Sequence, residues 1–347
     1  MSLFEGQIRF QLPSGEYLDG GVFVGSTEFL PLRVLRDDDE ALKSEFDDWL
    51  SLEWAPRQDE TRQRILEATG CLQRYEDLCE AVEKRTAVPI VGAGMSVASG
   101  LPTWTDFLCG VVTSVEHDSV RLAELLHAGR FEDAAQVIAD AAGLLLLNEK
   151  IEHLLRLPKG AEVTGPVCLL PEIFNDIVVT TNLDEVLEAV YFPYVTERLP
   201  SLKGIEISKY PSARGNGPLA LKLHGDRTDP KTRVLLPREY EDNYGERGKV
   251  RRALELLYQT QQVVFMGCSL VSDRTMQLLD ELANSGTEMP RHYALLEVPE
   301  HGSERSEREL FLTARGVFPI WYTAPHDEAM YALLDGMRVA ADKRVTQ

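Results

Sequence analysis

Four short patches hold the side chains of this chain best able to do chemistry. They are VPIVGAGMSVASGLPTW (Val88 to Trp104), VVTTNLD (Val178 to Asp184), LKLHGD (Leu221 to Asp226) and VVFMGCSLVSD (Val263 to Asp273). In each, an apolar, β-branched run stops at small or polar residues, as a buried parallel strand does where it delivers groups to the carboxyl edge of a sheet. Open α/β sheets bind their ligands at that edge. Gly92, Ala93 and Gly94 form a tight turn through which backbone can approach a pyrophosphate, and Ser96 can cap a following helix or bond a phosphate. Asn182 and Asp184 follow the threonines that close the second strand, and His224 ends the third beside Gly225. With its ordinary pKa of about 6.5, that imidazole could take a proton near neutral pH.

Each feature also has a plainer reading. GAGMS departs from GxGxxG, because Val97 stands where a third glycine belongs, and a glycine turn can join strand to helix without a ligand. Pro102 stiffens the loop and Trp104 offers a flat apolar face, to substrate or to the core. Asn182 and Asp184 occupy a helix start, where such residues often satisfy free backbone amides. A lone histidine is often structural, although a strand end is a frequent place for a working one. In GCSLVSD, Gly267 gives room and Ser269 can bond a ribose or phosphate. Asp273 reads as a cap.

The elements that must position these groups alternate strand and helix, which implies an α/β fold with a doubly wound parallel sheet. Strands are expected at 88–91, 177–181, 219–223, 263–266, 292–298 and 318–322. A helical insertion is expected over 119–157, a charged helix over 304–315 and a closing helix over 326–343. Residues 5–36 read as a small meander of strands around glycines. The acidic run Asp37 to Glu40 then caps a helix to about Leu52, Pro56 breaks it, and a second helix runs from about Asp59 to Arg85. The main domain, 81–347, follows this N-terminal β/α appendage, 1–80, whose role the sequence does not show.

With 347 residues the chain can bury a large core. Its 56 acidic against 36 basic residues give a net charge of −20, which argues against nucleic-acid or anionic-membrane binding. The five cysteines (71, 79, 109, 168 and 268) are scattered and never spaced as CxxC, so no zinc or other metal site and no disulfide framework is expected. No secretory signal opens the sequence and no apolar run could span a bilayer, which together point to a cytoplasmic protein.

Taken in order, GAGxS, SG-LP, TxNxD, HG and GxSL resemble the sirtuin superfamily over about residues 86–275. They are most similar to its prokaryotic sirtuin-like branch, the NAD hydrolases of antiphage defence. That branch includes the Thoeris effector and proteins paired with short Argonautes or HerA-type ATPases. The departures from protein-deacylating sirtuins fit this. Residues 227–262 hold no cysteine, whereas deacylases carry a zinc ribbon after HG, and TTN replaces the usual TQN. The resemblance implies a Rossmann-like fold and a NAD+ glycohydrolase releasing nicotinamide and ADP-ribose. Asn182 would hold the ribose hydroxyls or the attacking water, His224 would accept a proton, and Asp184 would orient the nicotinamide amide. Gly92, Ala93, Gly94, Ser96, Pro102, Trp104, Thr181, Gly267 and Ser269 would line the NAD site. It further implies control by homo-oligomerisation or by a defence partner, a HerA-type ATPase or an Argonaute-like sensor, with 1–80 as contact surface. Two alternatives stand beside it: deacylation or ADP-ribosyl transfer to protein, and a non-catalytic NAD or ADP-ribose sensor.

Overall fold

A computed structural model describes residues 10–11, 17–18, 22–24, 27–29, 39–112, 119–158, 160–196, 198–213, 217–271, 274–323 and 325–343. The chain divides into two compact units, Met1–Thr61 and Arg62–Gln347. In the first, β1 (Phe10–Gln11) pairs with β2 (Tyr17–Leu18) and β3 (Val22–Val24) with β4 (Thr27–Phe29), both antiparallel, as two separate pairs among the described residues where one meander was expected. Helix α1 (Asp39–Trp49) follows, and the start of its expected cap, Asp37 and Asp38, lies outside the described residues. Pro56 does not break the chain. It is the second residue of α2 (Ala55–Thr69), which continues from α1 through a π-helical turn, Leu50–Trp54, so the backbone stays helical across the proline. The break comes at Gly70, at φ +71°, which splits the long helix expected to Arg85 into α2 and α3 (Leu72–Glu83). The units divide earlier than residue 80 because Tyr75, Leu78 and Val82 of α3 are buried in the main core.

The second unit is built on a seven-stranded sheet whose pairings are all parallel. Its strands are β5 (Ala87–Val91), β6 (Ile177–Thr180), β7 (Ser201–Lys203), β8 (Leu219–Lys222), β9 (Gln262–Met266), β10 (His292–Glu297) and β11 (Val317–Tyr322). Their order across the sheet is β11-β10-β9-β5-β6-β8-β7. From central β5 the chain first winds outward through β6, then returns to start the other half at β9. Right-handed crossovers running outward in opposite directions lie on opposite faces, which agrees with β6 and β8 being buried at every residue. This is the doubly wound, Rossmann-like fold expected. The short edge strand β7, only half-buried, had no apolar run to announce it.

Between β5 and β6 the helical insertion starts earlier than expected, with α4 (Trp104–Val112), then α5 (Ser119–His127), α6 (Phe131–Ala142) and α7 (Leu144–Leu154). It has a hydrophobic core of its own, built on Phe107, Leu108, Ile138 and Ile151. The later helices are α8 (Val186–Tyr191), α9 (Pro237–Tyr244), α10 (Lys249–Thr260), α11 (Arg274–Asn284), α12 (Gly302–Thr313) and α13 (His326–Asp342).

Candidate active site

The topological switch point lies between β5 and β9, and both strands end in glycine. Val91 pairs with Met266; beyond them Gly92 N donates to the Met266 carbonyl at 2.8 Å and Gly94 N to the Gly267 carbonyl at 3.0 Å. A Cβ on Gly92 would fall 2.4 Å from the Gly267 oxygen, and one on Gly267, at φ +64°, 2.6 Å from Met95 N. The glycines thus exist first so that the two turns can touch each other, a reason the sequence did not offer. After the turn, Ala93–Ser99 winds as a 3₁₀ helix closed by Gly100 at φ +80°, not as the α-helix expected.

Outside these turns lies a crevice of about 1200 Å³. Gly92, Ala93, Gly94, Gly267 and Ser269 form its floor. Thr103, Trp104 and Phe131 come from the insertion and its approach, and Thr181, His224, Tyr240 and Tyr244 close the end over β6 and β8. The far end, over β10 and β11, holds Glu297, Glu304, Glu307 and Arg308. The Arg308 guanidinium bonds the Ser269 carbonyl.

Four expected site residues do not line this crevice. Pro102 is half-buried in the approach loop. Ser96, Asn182 and Asp184 form a buried knot: Ser96 Oγ donates to Asp184 Oδ2 at 2.9 Å, and Asn182 Nδ2 lies 3.3 Å from Ser96 Oγ. With its hydroxyl used there, Ser96 is not placed as a phosphate ligand. Asp184 Oδ1 accepts from Val186 N at 3.0 Å, an Asx turn that leads into α8, whose N-cap position is Glu185. Burial raises the Asp184 carboxyl above the usual range, against the opposing pull of the Val186 amide and Lys222. Asp273, expected as a cap, lies outside the described residues.

Asn182 and His224 nevertheless stand on neighbouring strand ends. Thr180 pairs with Lys222, and each site residue comes two positions later. Thr180 fixes the first: its Oγ1 donates to the Val91 carbonyl at 2.7 Å and accepts from Asn182 N at 3.0 Å. Asn182 Oδ1 remains buried without a hydrogen-bond partner among the described residues. Beneath the loop, the fully buried Lys222 donates to the Asp184 carbonyl at 2.6 Å and to Glu188 at 2.9 Å, with Asp226 3.7 Å away. Lys203 reaches Asp226 from the edge strand at 3.1 Å. Buried charges persist only when paired in this way.

His224 departs most from expectation. Burial pushes its pKa down to about 3, so the ring is neutral at physiological pH and is no neutral-pH titrating base. Nε2 lies 2.8 Å from Tyr244 Oη, and the Tyr240 ring meets the imidazole edge-on at 5.2 Å. Both tyrosines come from α9, four residues apart and so on one helix face. The helix start is set by Pro237 and by Glu239, which accepts from the Leu235 and Leu236 amides at 2.8 and 2.9 Å. The i, i+4 tyrosine spacing after a proline was the available sign of this wall.

The insertion is bound to the site by its core and by arginines. Leu183, between Asn182 and Asp184, and Leu235 belong to the insertion core. Arg274 of the crevice pairs with Glu132 at 3.0 Å, Arg233 reaches Asn148 at 2.5 Å, and Arg227 the Glu152 carbonyl at 3.1 Å.

Residues 176–320 match the family model of the SIR2-like domain. That span is similar to a SIR2-like domain. The matched span starts just before β6 and ends in β11, so it contains Asn182, His224, Tyr244 and Ser269, while the Gly92 turn precedes it. The sequence likeness started earlier, near residue 86, and stopped sooner, near 275. A SIR2-like domain points to NAD-dependent enzymes in general, and NAD is the ligand against which this crevice is to be judged. No curated protein matches the chain. Among the described residues no group of three or more His, Cys, Asp or Glu side chains is placed to hold a metal ion. No helix among them is long and apolar enough to cross a membrane.

Proposed function

We propose that the chain hydrolyses NAD+ to nicotinamide and ADP-ribose. One observation carries this reading: a single crevice joins the paired glycine turns at the switch point to His224 at the end of β8, within reach of the SIR2-like span. Its volume of about 1200 Å³ exceeds that of common small-ligand pockets and leaves room for a dinucleotide. The glycine floor suits a pyrophosphate, and His224, with Nδ1 buried and without a partner, lines the end where a reacting ribose would sit, while Asn182, whose Oδ1 also lacks a partner, stands behind it on the neighbouring strand end.

The chemistry asks little of an acid. The ribose–nitrogen bond breaks, its electron pair leaves with the nicotinamide ring, which was cationic, and nicotinamide departs neutral. Water supplies the new C–O bond and loses one proton to solvent. The residues have to steady an oxocarbenium-like ribose and hold the water. A neutral His224 serves as an acceptor for that water without keeping its proton. The missing zinc ribbon supports water over an acyl-lysine as nucleophile. The test is nicotinamide release from NAD+ by the purified full chain. Asn182→Ala and His224→Ala are each expected to lower it by at least about a hundredfold while circular dichroism stays native. Wild-type rates in both variants overturn the reading, and O-acyl-ADP-ribose from an acyl-peptide would indicate deacylation instead.

An ungated NAD hydrolase would exhaust its own cell. On the likeness to antiphage effectors, we take turnover to be controlled through self-association or a partner protein, with 1–80 as the contact. A chain that sediments as a monomer with full turnover would refute this control.

A further inference from the structure

His224 has two ring nitrogens and one hydrogen-bond partner. Nε2 lies 2.8 Å from Tyr244 Oη, whereas Nδ1 is buried with no partner among the described residues. A neutral imidazole carries a proton on one nitrogen and a lone pair on the other. If Tyr244 donated to Nε2, the only N–H of the ring would sit on Nδ1, buried with nothing to accept it. If Nε2–H donates to Tyr244 Oη, the ring is left with a lone pair, and the phenol O–H, which unlike a ring N–H rotates about its own bond, can turn toward the crevice that Tyr244 lines. Buried donors without an acceptor are rarer than under-used acceptors, so the second arrangement costs less.

We propose that Tyr244 is a positioning residue that accepts the Nε2–H of His224, fixes this tautomer and leaves Nδ1 bare to receive the hydrogen bond of the nucleophile. The inference rests on the hydrolase reading for the nucleophile, but the tautomer itself does not. The surroundings suit the role. Tyr244 is 6% exposed and ends α9, and its ring lies 5.6 Å from that of Tyr240, which also packs edge-on against the imidazole. The phenol oxygen is therefore held where the histidine needs it. The logic is that of a base whose far nitrogen is fixed by a third group.

Long-range proton–nitrogen NMR spectra of the full chain, labelled at histidine, read the tautomer directly. The wild type is expected to carry the His224 proton on Nε2, and Tyr244→Phe, which keeps the ring, to populate both tautomers. In the same variant kcat for nicotinamide release is expected to fall at least about tenfold, with KM changed less than about twofold and the thermal midpoint retained. A wild-type proton on Nδ1 overturns the proposal whether or not the variant folds. So does a Tyr244→Phe protein with unchanged tautomer and kcat. If the wild type released no nicotinamide, the hydrolase reading would fail, and the spectra would still decide the tautomer.

Discussion

At His224 the sequence offered an imidazole at the end of a strand, and the fold adds dryness. With the ring buried and its pKa pushed down to about 3, protonation lies far below the range in which an exposed histidine titrates. The sign follows directly: the neutral, accepting form persists as pH falls, until the depressed pKa is approached. The rate of nicotinamide release at saturating NAD+ is therefore expected to show no acid limb near pH 6.5. A stopped assay from pH 8 to 5.5 checks this, and a limb with a midpoint between 6 and 7 would mean that the ring is hydrated during turnover. Asn182 and Asp184 teach a complementary lesson. Spacing placed both at a helix start, where a capping or a ligand reading was open, and the structure gives Asp184 the bond to the Val186 amide, ahead of the Glu185 N-cap position, and the bond to Ser96. Asn182 is left with an unpartnered carbonyl oxygen, which no pattern in the sequence could distinguish from the bonded carboxylate two positions on.

Among the elements, the strands that carry the site were legible because each is a short, apolar run buried on both faces, and such runs say where they stop. What the turns between them do was not legible, because it depends on which strands become neighbours. Gly92 and Gly267 are far apart in the chain, yet β5 and β9 lie side by side and bring the two turns into backbone contact. A Gly267→Ala substitution must place its Cβ 2.6 Å from Met95 N and hold an alanine at φ +64°. The strain at positive φ alone costs about 1–3 kcal/mol, and the contact adds to it. Chemical denaturation is expected to show a loss of at least about 2 kcal/mol. A variant as stable as the wild type would mean that the turns separate easily, and the glycines would then need a ligand to explain them. The same dependence on neighbours hid the wall beside His224. That α9 would bring Tyr240 and Tyr244 against His224 required the tertiary packing of the helix. Edge strand β7 escaped for a simpler reason, since three half-buried residues carry too little periodicity to read.

For the whole molecule, two buried histidines set how stability responds to mild acid. Burial lowers the pKa of His224 to about 3 and that of His292 to about 4. His292 has a structural reason to stay neutral: its Nδ1 accepts from Val263 N at 3.2 Å and it lies in the core against Tyr258, joining β10 to β9. For a base whose folded pKa is depressed, the unfolded chain binds protons that the folded chain refuses. The stability is thus full above the unfolded pKa of about 6.5 and falls as pH drops toward the folded values. Each histidine costs up to about 1.4 kcal/mol per pH unit below that point, so at pH 5 the two together remove about 4 kcal/mol. That is a large share of the roughly 5–15 kcal/mol by which domains are stable. Among the carboxylates, Asp226, held low by Lys222 and the Thr228 amide against its burial, does not offset this loss, whereas Asp184, raised by its burial, opposes it in part. Denaturant midpoints measured at pH 7.5, 6 and 5 are expected to fall with acidity, and His292→Gln to fall with about half that slope whatever its stability at pH 7.5. Parallel slopes in the two proteins would place the proton uptake elsewhere and would require that the His292 ring be charged, or solvated, inside the folded sheet.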